Sequence, residues 1–302
     1  MKSERTDGER TDDKPVNADP VKTTLFGYTD QRVTVVGLGG EGILRTYGRL
    51  AEARKVIREA IAQGITYFDS AHVYADSEVY YGSVWPELRD ARPRIFQASK
   101  SASRHAEEAS ADLESTLERM GIDYLDLWQI HDVRTEEDLH TISGPRGALE
   151  AFLQAKSLGT VRHIGVTGHH DPEILTRAVH DWPMDSVMMP VNPAEGLLGG
   201  FLTSTLPAAR AKGIGVIGMK ILGASHYIRP ELGITPDLLI RYALSHDITV
   251  AIVGCSTVDE VITLAGVGRD SLTVDDEEKL NLVQKFEPYA RQLAFYRGVV
   301  KM

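Results

Sequence analysis

Apolar and polar positions along this chain follow two alternating periods. Short apolar or β-branched runs, typical of buried strands, are separated by longer segments of helical period. The predicted strands are Val33–Val36, Tyr67–Phe68, Ile95–Ala98, Tyr124–Ile130, Val161–Val166, Ser186–Met189, Gly215–Met219 and Thr249–Val253. The predicted helices include Arg49–Ala62, Ala106–Arg119, Gly147–Lys156, Pro172–His180, Thr203–Lys212 and Thr235–Ser245. Eight strands separated by helices predict an α/β fold, a closed (β/α)8 TIM barrel.

An open doubly wound sheet is the main structural alternative. Gly37, Gly39 and Gly42 spell Gly-x-Gly-x-x-Gly after the first predicted strand, as in many dinucleotide-binding sheets. The following residues, 43–49, contain no clear helix start, and no acidic residue ends the next strand at the distance that a ribose needs. A single match to this glycine motif is weak evidence, so the pattern favours the barrel.

The length and the apolar content indicate one large folded domain. The chain has 302 residues, of which 42% are hydrophobic, and no Pro/Gly/Ser-rich linker divides it. Residues 1–23 are rich in charge and contain a near-duplication of Glu-Arg-Thr-Asp, so they are predicted to form a disordered tail. Residues 24–302 are predicted to form the barrel, with an N-terminal β-hairpin and a short C-terminal extension.

Charge and cysteine usage exclude several classes of partner. The formal net charge is -10 and no basic stripe is present, so a nucleic-acid partner is not expected. The single cysteine, Cys255, allows no intrachain disulfide and no thiolate metal cluster, which fits a cytoplasmic protein. No apolar run reaches the roughly 18 residues that span a bilayer, so no membrane partner is expected. A small-molecule substrate is left as the expected partner, and the oligomeric state stays open.

Four residues at predicted strand ends carry candidate chemistry. Asp69, Lys100 and His131 end the second, third and fourth strands, and Tyr74 lies in the loop after Asp69. In a (β/α)8 barrel these ends meet at one mouth, where active sites lie. A tyrosine can protonate the oxygen of a carbonyl that receives hydride, and a neighbouring ammonium favours its phenolate. Asp69 is then expected to be the counter-ion of Lys100, and a neutral His131 to orient the substrate oxygen.

Each of these four residues also has a structural interpretation. A strand-end Asp is often a helix cap, a Lys after a strand is usually solvated, and a Tyr or His there is frequently a core residue. Their occurrence together at three successive strand ends favours the catalytic interpretation.

Three segments resemble the aldo-keto reductase superfamily. They are Phe68-Asp69-Ser70-Ala71-His72-Val73-Tyr74 with Ser77-Glu78 and Gly82, then Ala98-Ser99-Lys100, then Leu125-Asp126-Leu127-Trp128-Gln129-Ile130-His131. The resemblance covers the chain from about Thr24 to its last helix. It implies an NAD(P)H-dependent reduction of an aldehyde or ketone, or oxidation of the alcohol. It also implies that Tyr74 is the general acid/base, with the cofactor extended across the barrel mouth.

The resemblance implies a set of cofactor contacts, with departures from the family pattern. Those contacts are Gly39, Gly40, Asp69, Thr167, Gly168, Met219, Lys220, Ile221, Gly254, Ser256, Thr257 and Glu260. Thr167 and Gly168 stand where the family commonly has Ser-Asn, which holds the nicotinamide carboxamide. Gly218 or Met219 stands where an aromatic residue normally stacks on the nicotinamide, and Lys220 could reach the pyrophosphate.

The choice between the two nicotinamide dinucleotides depends on the segment from Gly254 to Glu260. In the family this segment wraps the 2′-phosphate of NADP(H), often with basic residues. A carboxylate at Glu260 repels a phosphate but accepts a hydrogen bond from a free 2′-hydroxyl. NADP(H) is expected on resemblance and NAD(H) is the alternative, unless Glu260 simply points to solvent.

The remaining histidines and the function class leave alternatives open. His72, His169 and His170 lack an evident third ligand, so no metal is expected, and His72 or His170 could contact substrate. A non-enzymatic, cofactor-sensing subunit of the same fold and a cofactor-retaining isomerase are the rivals to a reductase. In the family that the chain resembles, a longer final segment often closes over bulky, steroid-like substrates, so the short segment after Leu293 implies a polar sugar, a short aldehyde or a ketone as substrate.

Overall fold

Eight parallel strands close into a barrel in the computed structural model, which describes residues 19–88, 90–270 and 273–298. The barrel strands are β3 (Val36–Leu38), β4 (Tyr67–Asp69), β5 (Phe96–Ser101), β6 (Leu125–Ile130), β7 (Val161–Thr167), β8 (Ser186–Pro190), β9 (Gly215–Met219) and β10 (Val250–Val253). Each strand pairs with the next along the chain, and β10 pairs with β3 to close the barrel. The predicted barrel is confirmed, and the doubly wound sheet is excluded.

Helices follow the barrel strands. They are α1 (Leu50–Ala62), α2 (Ser77–Gly82), α3 (Ala106–Met120), α4 (Glu136–Ser143), α5 (Ala148–Leu158), α6 (Pro172–Asp181), α7 (Pro193–Leu198), α8 (Leu206–Ala211), α9 (Pro236–Leu244), α10 (Val258–Asp270), α11 (Asp276–Phe286) and α12 (Ala290–Leu293). Within the described parts of the chain, no helix is long and apolar enough to cross a membrane.

The first predicted strand is wrong in its boundaries, because two strands occupy that region. The antiparallel hairpin of β1 (Thr23–Leu25) and β2 (Arg32–Thr34) precedes β3. The Thr34 hydroxyl donates to the carbonyl of Val36 at 2.7 Å and accepts the backbone N–H of Thr66 at 3.0 Å. These bonds separate the hairpin from the barrel strand, so Val33 belongs to the hairpin.

The packed part of the chain begins earlier than the predicted boundary at residue 23. Val21 is buried, and the backbone N–H of Lys22 donates to the carbonyl of Gly268 at the end of α10. The rest of the predicted tail, residues 1–18, lies outside the described residues.

Apolar side chains lie in two layers on either side of the barrel wall. Inside the barrel, Tyr67, Phe96, Leu127 and Ile217 pack against one another, and Phe26 of the hairpin joins them. A larger cluster fills the space between the outer face of the strands and the helices. Both faces of each parallel strand are therefore buried, which explains the nearly continuous apolar runs in the sequence.

Candidate active site

The polar residues predicted at the strand ends lie together at the carboxyl end of the barrel. Asp69 is the last residue of β4, Lys100 lies near the end of β5, and His131 follows β6 directly. Because β4, β5 and β6 are neighbours in register, the three side chains point into the same mouth. Tyr74 reaches this mouth from the loop between β4 and α2.

Lys100 and Asp69 form a buried ion pair. Their side chains are 1% and 2% exposed, and Lys100 Nζ lies 2.5 Å from Asp69 Oδ2. Lys100 Nζ also donates to the carbonyl of Ser70 at 2.6 Å. Burial lowers the pKa of Lys100 and raises that of Asp69, and in each case the charged partner opposes the shift. The positive charge of Lys100 is therefore balanced by the carboxylate of Asp69 inside the barrel.

Tyr74 is positioned by contacts on its ring and at its hydroxyl. Its Oη lies 3.5 Å from Nε2 of His131, and Lys100 Nζ is 4.8 Å from its ring centroid. A Cβ at Gly40 would lie 2.8 Å from Cδ2 of Tyr74, so a residue without a side chain is needed there. Enclosure raises the pKa of Tyr74, with smaller contributions from Asp69 and Glu41. The phenol is thus protonated at neutral pH.

His131 is held by its backbone and is uncharged. Arg104 donates to the carbonyl of His131 from Nη1 and to that of Asp132 from Nη2, each at 2.8 Å. Burial lowers the pKa of His131 well below its usual range, and nearby Lys100 lowers it further. A neutral imidazole can hydrogen-bond a substrate oxygen through Nε2, on the side that faces Tyr74.

A cavity of about 650 Å³ extends from Tyr74 to α9 and α10. Its lining includes most of the residues predicted to contact a cofactor, namely Gly39, Gly40, Asp69, Met219, Lys220, Ile221, Gly254, Ser256 and Glu260. Lys100 and His131 are absent from the described lining and lie beside it. The structure therefore brings one continuous space to the phenol of Tyr74.

Thr167, Gly168 and Thr257 do not line this cavity in the described structure. The Thr167 hydroxyl accepts the backbone N–H of Asp132 at 2.8 Å, and the residue is buried. Gly168 is enclosed by the carbonyl of Val133 and the side chain of Leu175. The residues at the positions that hold the carboxamide in the family thus contact neighbouring parts of the barrel instead of the cavity.

The far end of the cavity is acidic. Glu260 is exposed, lines the cavity beside Asp259, and accepts the backbone N–H of Ser256 at 2.5 Å. Among the described lining residues the cations are Arg45 and Lys220, and both pair with Glu41 rather than with Glu260. An anionic group of a ligand bound at this end would therefore lie close to the carboxylates of Asp259 and Glu260.

Glu41 and Arg45 are cavity residues that the sequence analysis missed. Arg45 Cζ lies 4.8 Å from the ring centroid of Tyr74, and Arg45 Nη1 lies 2.7 Å from Glu41 Oε1. Lys220 Nζ lies 3.7 Å from the same carboxylate oxygen. The only sequence signal was a pair of opposite charges four positions apart just after the first strand.

Two further histidines, His72 and His169, lie beside carboxylates. His72 Nε2 is 3.4 Å from Asp112 Oδ1, and its Nδ1 is 3.7 Å from the buried carboxylate of Glu78. His169 Nε2 is 3.3 Å from Asp132 Oδ1. Over the described ranges, no group of three or more His, Cys, Asp or Glu side chains could hold a metal ion.

The segment after α12 is bound to the loops of the barrel mouth. Tyr296 Oη donates to Oε1 of Glu195, a fully buried residue at the start of α7, at 2.8 Å. Arg297 pairs with the same carboxylate, its Nε donating at 3.0 Å. Asn192 donates to Tyr296 Oη at 2.8 Å and to the carbonyl of Lys220 at 3.2 Å. These bonds connect the end of the chain to the cavity loop that begins at Lys220.

This arrangement defines a (β/α)8-barrel enzyme whose site is built on the carboxyl ends of its strands. The sequence model of the Aldo/keto reductase family matches residues 35–229. The chain belongs to the aldo/keto reductase family and is an oxidoreductase.

Known proteins resemble this chain over most of its length. L-galactose dehydrogenase of Arabidopsis thaliana is 25% identical, covering 86% of this chain and 94% of its own. Aldo-keto reductase AKR11C1 from Bacillus halodurans, in its holo form, has a TM-score of 0.71 at 20% identity, over 88% of this chain and 96% of its own. An aldo/keto reductase from Klebsiella pneumoniae, solved with NADP and acetate, has a TM-score of 0.69 at 22% identity, over 88% and 95%.

Proposed function

We propose that this chain is an NAD(P)H-dependent oxidoreductase that reduces an aldehyde or ketone, or oxidises the corresponding alcohol, with Tyr74 as general acid/base. The observation that carries the proposal is the placement of a protonated phenol beside a neutral imidazole, 3.5 Å away, at the mouth of a large cavity. Carbonyl reduction needs a proton donor at the oxygen, because the developing alkoxide is strongly basic.

The four polar residues have different roles at the reacting oxygen. Tyr74 gives its proton to the oxygen in reduction and takes it back in oxidation. Lys100 keeps a positive charge near the resulting phenolate, and Asp69 keeps that ammonium charged although it is buried. Nε2 of His131 orients the substrate oxygen toward Tyr74.

The cavity fits a nicotinamide dinucleotide in its size and in its charge. Lys220 can pair with the phosphates, and Met188 and Met219 offer apolar contacts for the nicotinamide. Ile240 and Leu264 offer apolar walls at the far end. A nicotinamide bound there supplies or accepts hydride. The relative from Klebsiella pneumoniae, solved with NADP, supports this assignment of the cavity.

The acidic far end favours NAD(H), although the family resemblance favours NADP(H). Asp259 and Glu260 line the cavity there, whereas the described lining cations, Arg45 and Lys220, pair with Glu41. A 2′-phosphate would be repelled by both carboxylates, whereas a free 2′-hydroxyl could donate to one of them. We therefore include both cofactors in the proposal and assign the preference to these two side chains.

The substrate class in this proposal is a small carbonyl compound or a sugar. The likeness to a protein named L-galactose dehydrogenase, which extends over 86% of this chain, supports a polar, sugar-like substrate. Reaction with such a compound needs hydrogen-bonding groups near Tyr74, which His131 and Arg45 can supply.

The decisive test is a titration of the protein with NADPH and with NADH, monitored by fluorescence. A panel of aldehydes, ketones and sugars is then assayed with the cofactor that binds. We expect saturable binding and turnover of at least one carbonyl or alcohol. Binding without turnover over the whole panel would favour the cofactor-sensing alternative. Absence of binding of both cofactors would overturn the proposal.

A further inference from the structure

Arg45 contacts the face of the proposed acid. It is the last residue of the short 3-10 turn Gly42–Arg45 that follows β3, and it lines the cavity. Its Cζ is 4.8 Å from the ring centroid of Tyr74, within the range of a cation–π contact. Lys100 Nζ is at the same distance from that centroid. Two cations therefore flank the phenol ring.

These two cations differ in how their charge is balanced. Lys100 is buried and is matched by Asp69 at 2.5 Å. Arg45 is half-exposed, and its partner is the equally exposed Glu41 at 2.7 Å. A half-exposed ion pair is weak and is screened by water, so the charge of Arg45 acts on Tyr74 more weakly than a buried charge at the same distance would.

Glu41 is fixed in place by its backbone and by a second cation. A Cβ at Gly254 would lie 2.6 Å from the carbonyl carbon of Glu41, so this backbone packs directly against the end of β10. Its Oε1 is shared between Arg45 at 2.7 Å and Lys220 Nζ at 3.7 Å. The carboxylate therefore remains beside Arg45, and both groups face Tyr74.

The charged and titratable groups that face Tyr74 come from four segments around it. Asp69 lies on β4, Lys100 on β5, and His131 and Asp132 follow β6. Glu41 and Arg45 complete the set from the turn after β3 and oppose each other: the carboxylate raises the pKa of Tyr74 and the guanidinium lowers it. Glu41 also acts on the buried pair, where it raises the pKa of Asp69 and the pKa of Lys100.

We propose that Arg45 is a positioning residue that holds the ring of Tyr74 and supplies the second positive charge to its phenolate, with Glu41 as the counter-charge that limits this effect. The inference rests on the proposed function, because it assigns a role at the same phenol. It predicts that removing the charge of Arg45 and removing the charge of Glu41 shift the pKa of Tyr74 in opposite directions. If the turn has only a structural role, both substitutions shift this pKa in the same direction.

The test measures the ionisation of residue 74 directly. A fluorinated tyrosine, whose phenol is more acidic, is introduced at position 74 and titrated by ¹⁹F NMR in five backgrounds: wild type, Arg45→Met, Arg45→Lys, Glu41→Gln, and Arg45→Met with Glu41→Gln. We expect Arg45→Met to raise the apparent pKa by about one unit, a tenfold loss of phenolate at a given pH. Glu41→Gln should lower it, Arg45→Lys should stay near wild type, and the double variant should lie between the single variants.

The pH dependence of alcohol oxidation, which needs the phenolate, gives a second measurement. The acid limb of kcat/KM should move to higher pH in Arg45→Met and to lower pH in Glu41→Gln. Arg49 and Glu52 form a matched control pair, 2.8 Å apart and of similar exposure at the start of α1. Arg49→Met and Glu52→Gln should move neither the NMR titration nor the limb.

The outcomes separate this inference from the proposed function. Shifts of the same sign in Arg45→Met and Glu41→Gln, or shifts no larger than those of the control pair, would overturn the inference even in an active enzyme. If the wild type binds no cofactor or oxidises no alcohol, the proposed function fails. The NMR titration still decides the role of Arg45 in that case.

Discussion

The Nζ of Lys100 lies 2.5 Å from Oδ2 of Asp69 and makes its shortest contacts with this carboxylate and with the carbonyl of Ser70, not with the hydroxyl of Tyr74. In the proposed reaction the lysine therefore acts on the phenol through space, with its Nζ 4.8 Å from the ring centroid. This geometry separates two properties that can be tested independently, the proton of Tyr74 and the charge of Lys100.

Replacing Tyr74 by Phe should abolish the proton donor and leave cofactor binding intact. In the proposed reaction the phenol acts on the transition state, whereas the cavity proposed for the dinucleotide is lined by many residues besides Tyr74. We expect turnover to fall by at least about a hundredfold. Steady-state kinetics and a cofactor titration of the same preparation measure both quantities. A Phe variant with near-normal turnover would show that Tyr74 is not the acid.

Replacing Lys100 by Met should reduce both activity and stability. The variant leaves Asp69 buried without its counter-ion, which costs on the order of 3 kcal/mol of unfolding free energy. Adding Asp69→Asn should restore stability and leave turnover low, because the charge near the phenolate is still missing. Urea unfolding and kinetics of the single and double variants test this. Recovery of activity together with stability would mean that the pair is only structural.

Replacing Glu260 by Arg should shift cofactor preference toward NADPH. The change removes a carboxylate from the acidic end of the cavity and introduces a cation that can pair with a 2′-phosphate. We expect the ratio of dissociation constants to move by roughly tenfold, about 1.4 kcal/mol. Glu260→Gln, which removes only the charge, should shift the ratio less. An unchanged ratio at one ionic strength would mean that Glu260 does not face the ribose.

His72 should make stability depend on pH with a defined sign. Glu78 and Asp112 raise the pKa of His72 above its usual value of 6.5, and burial and Arg119 oppose this. A raised pKa in the folded state gives stability that is fully present below the unfolded value and is lost as pH rises through the folded value.

The free energy of unfolding of wild type and His72→Asn should therefore differ most near about pH 5 and converge above about pH 8. His140, exposed on α4, provides the control substitution His140→Asn. Urea unfolding across this range measures the difference. A difference between wild type and His72→Asn that grows with pH would contradict the assignment.

Arg297 should be needed for stability at the barrel mouth. Arg297→Met leaves the fully buried Glu195 without its cation, and breaking such a pair costs about 3 kcal/mol or more. The double variant Arg297→Met with Glu195→Gln should recover much of this loss, because no uncompensated charge remains. Thermal and urea unfolding of the three proteins compare these values. Equal stability of the single variant and wild type would contradict a structural role of this ion pair.

Most of the barrel was predictable from the pattern of apolar residues. Seven of the eight predicted strands overlap the observed barrel strands with shifts of a few residues, because strands buried on both faces leave uninterrupted apolar runs. The first prediction merged β2 and β3. The separation depends on hydrogen bonds between Thr34 and Thr66, which are 32 positions apart and leave no local signal.

The sequence by itself determined the barrel and the convergence of Asp69, Tyr74, Lys100 and His131, because parallel strands in a closed barrel bring all their carboxyl ends to one mouth. Only the tertiary structure decided which other residues share that mouth. Lys220 lies beside Glu41, Arg45 covers Tyr74, and Thr167 is turned to Asp132. Such contacts join side chains from distant strands and loops, and their geometry depends on how the whole barrel packs.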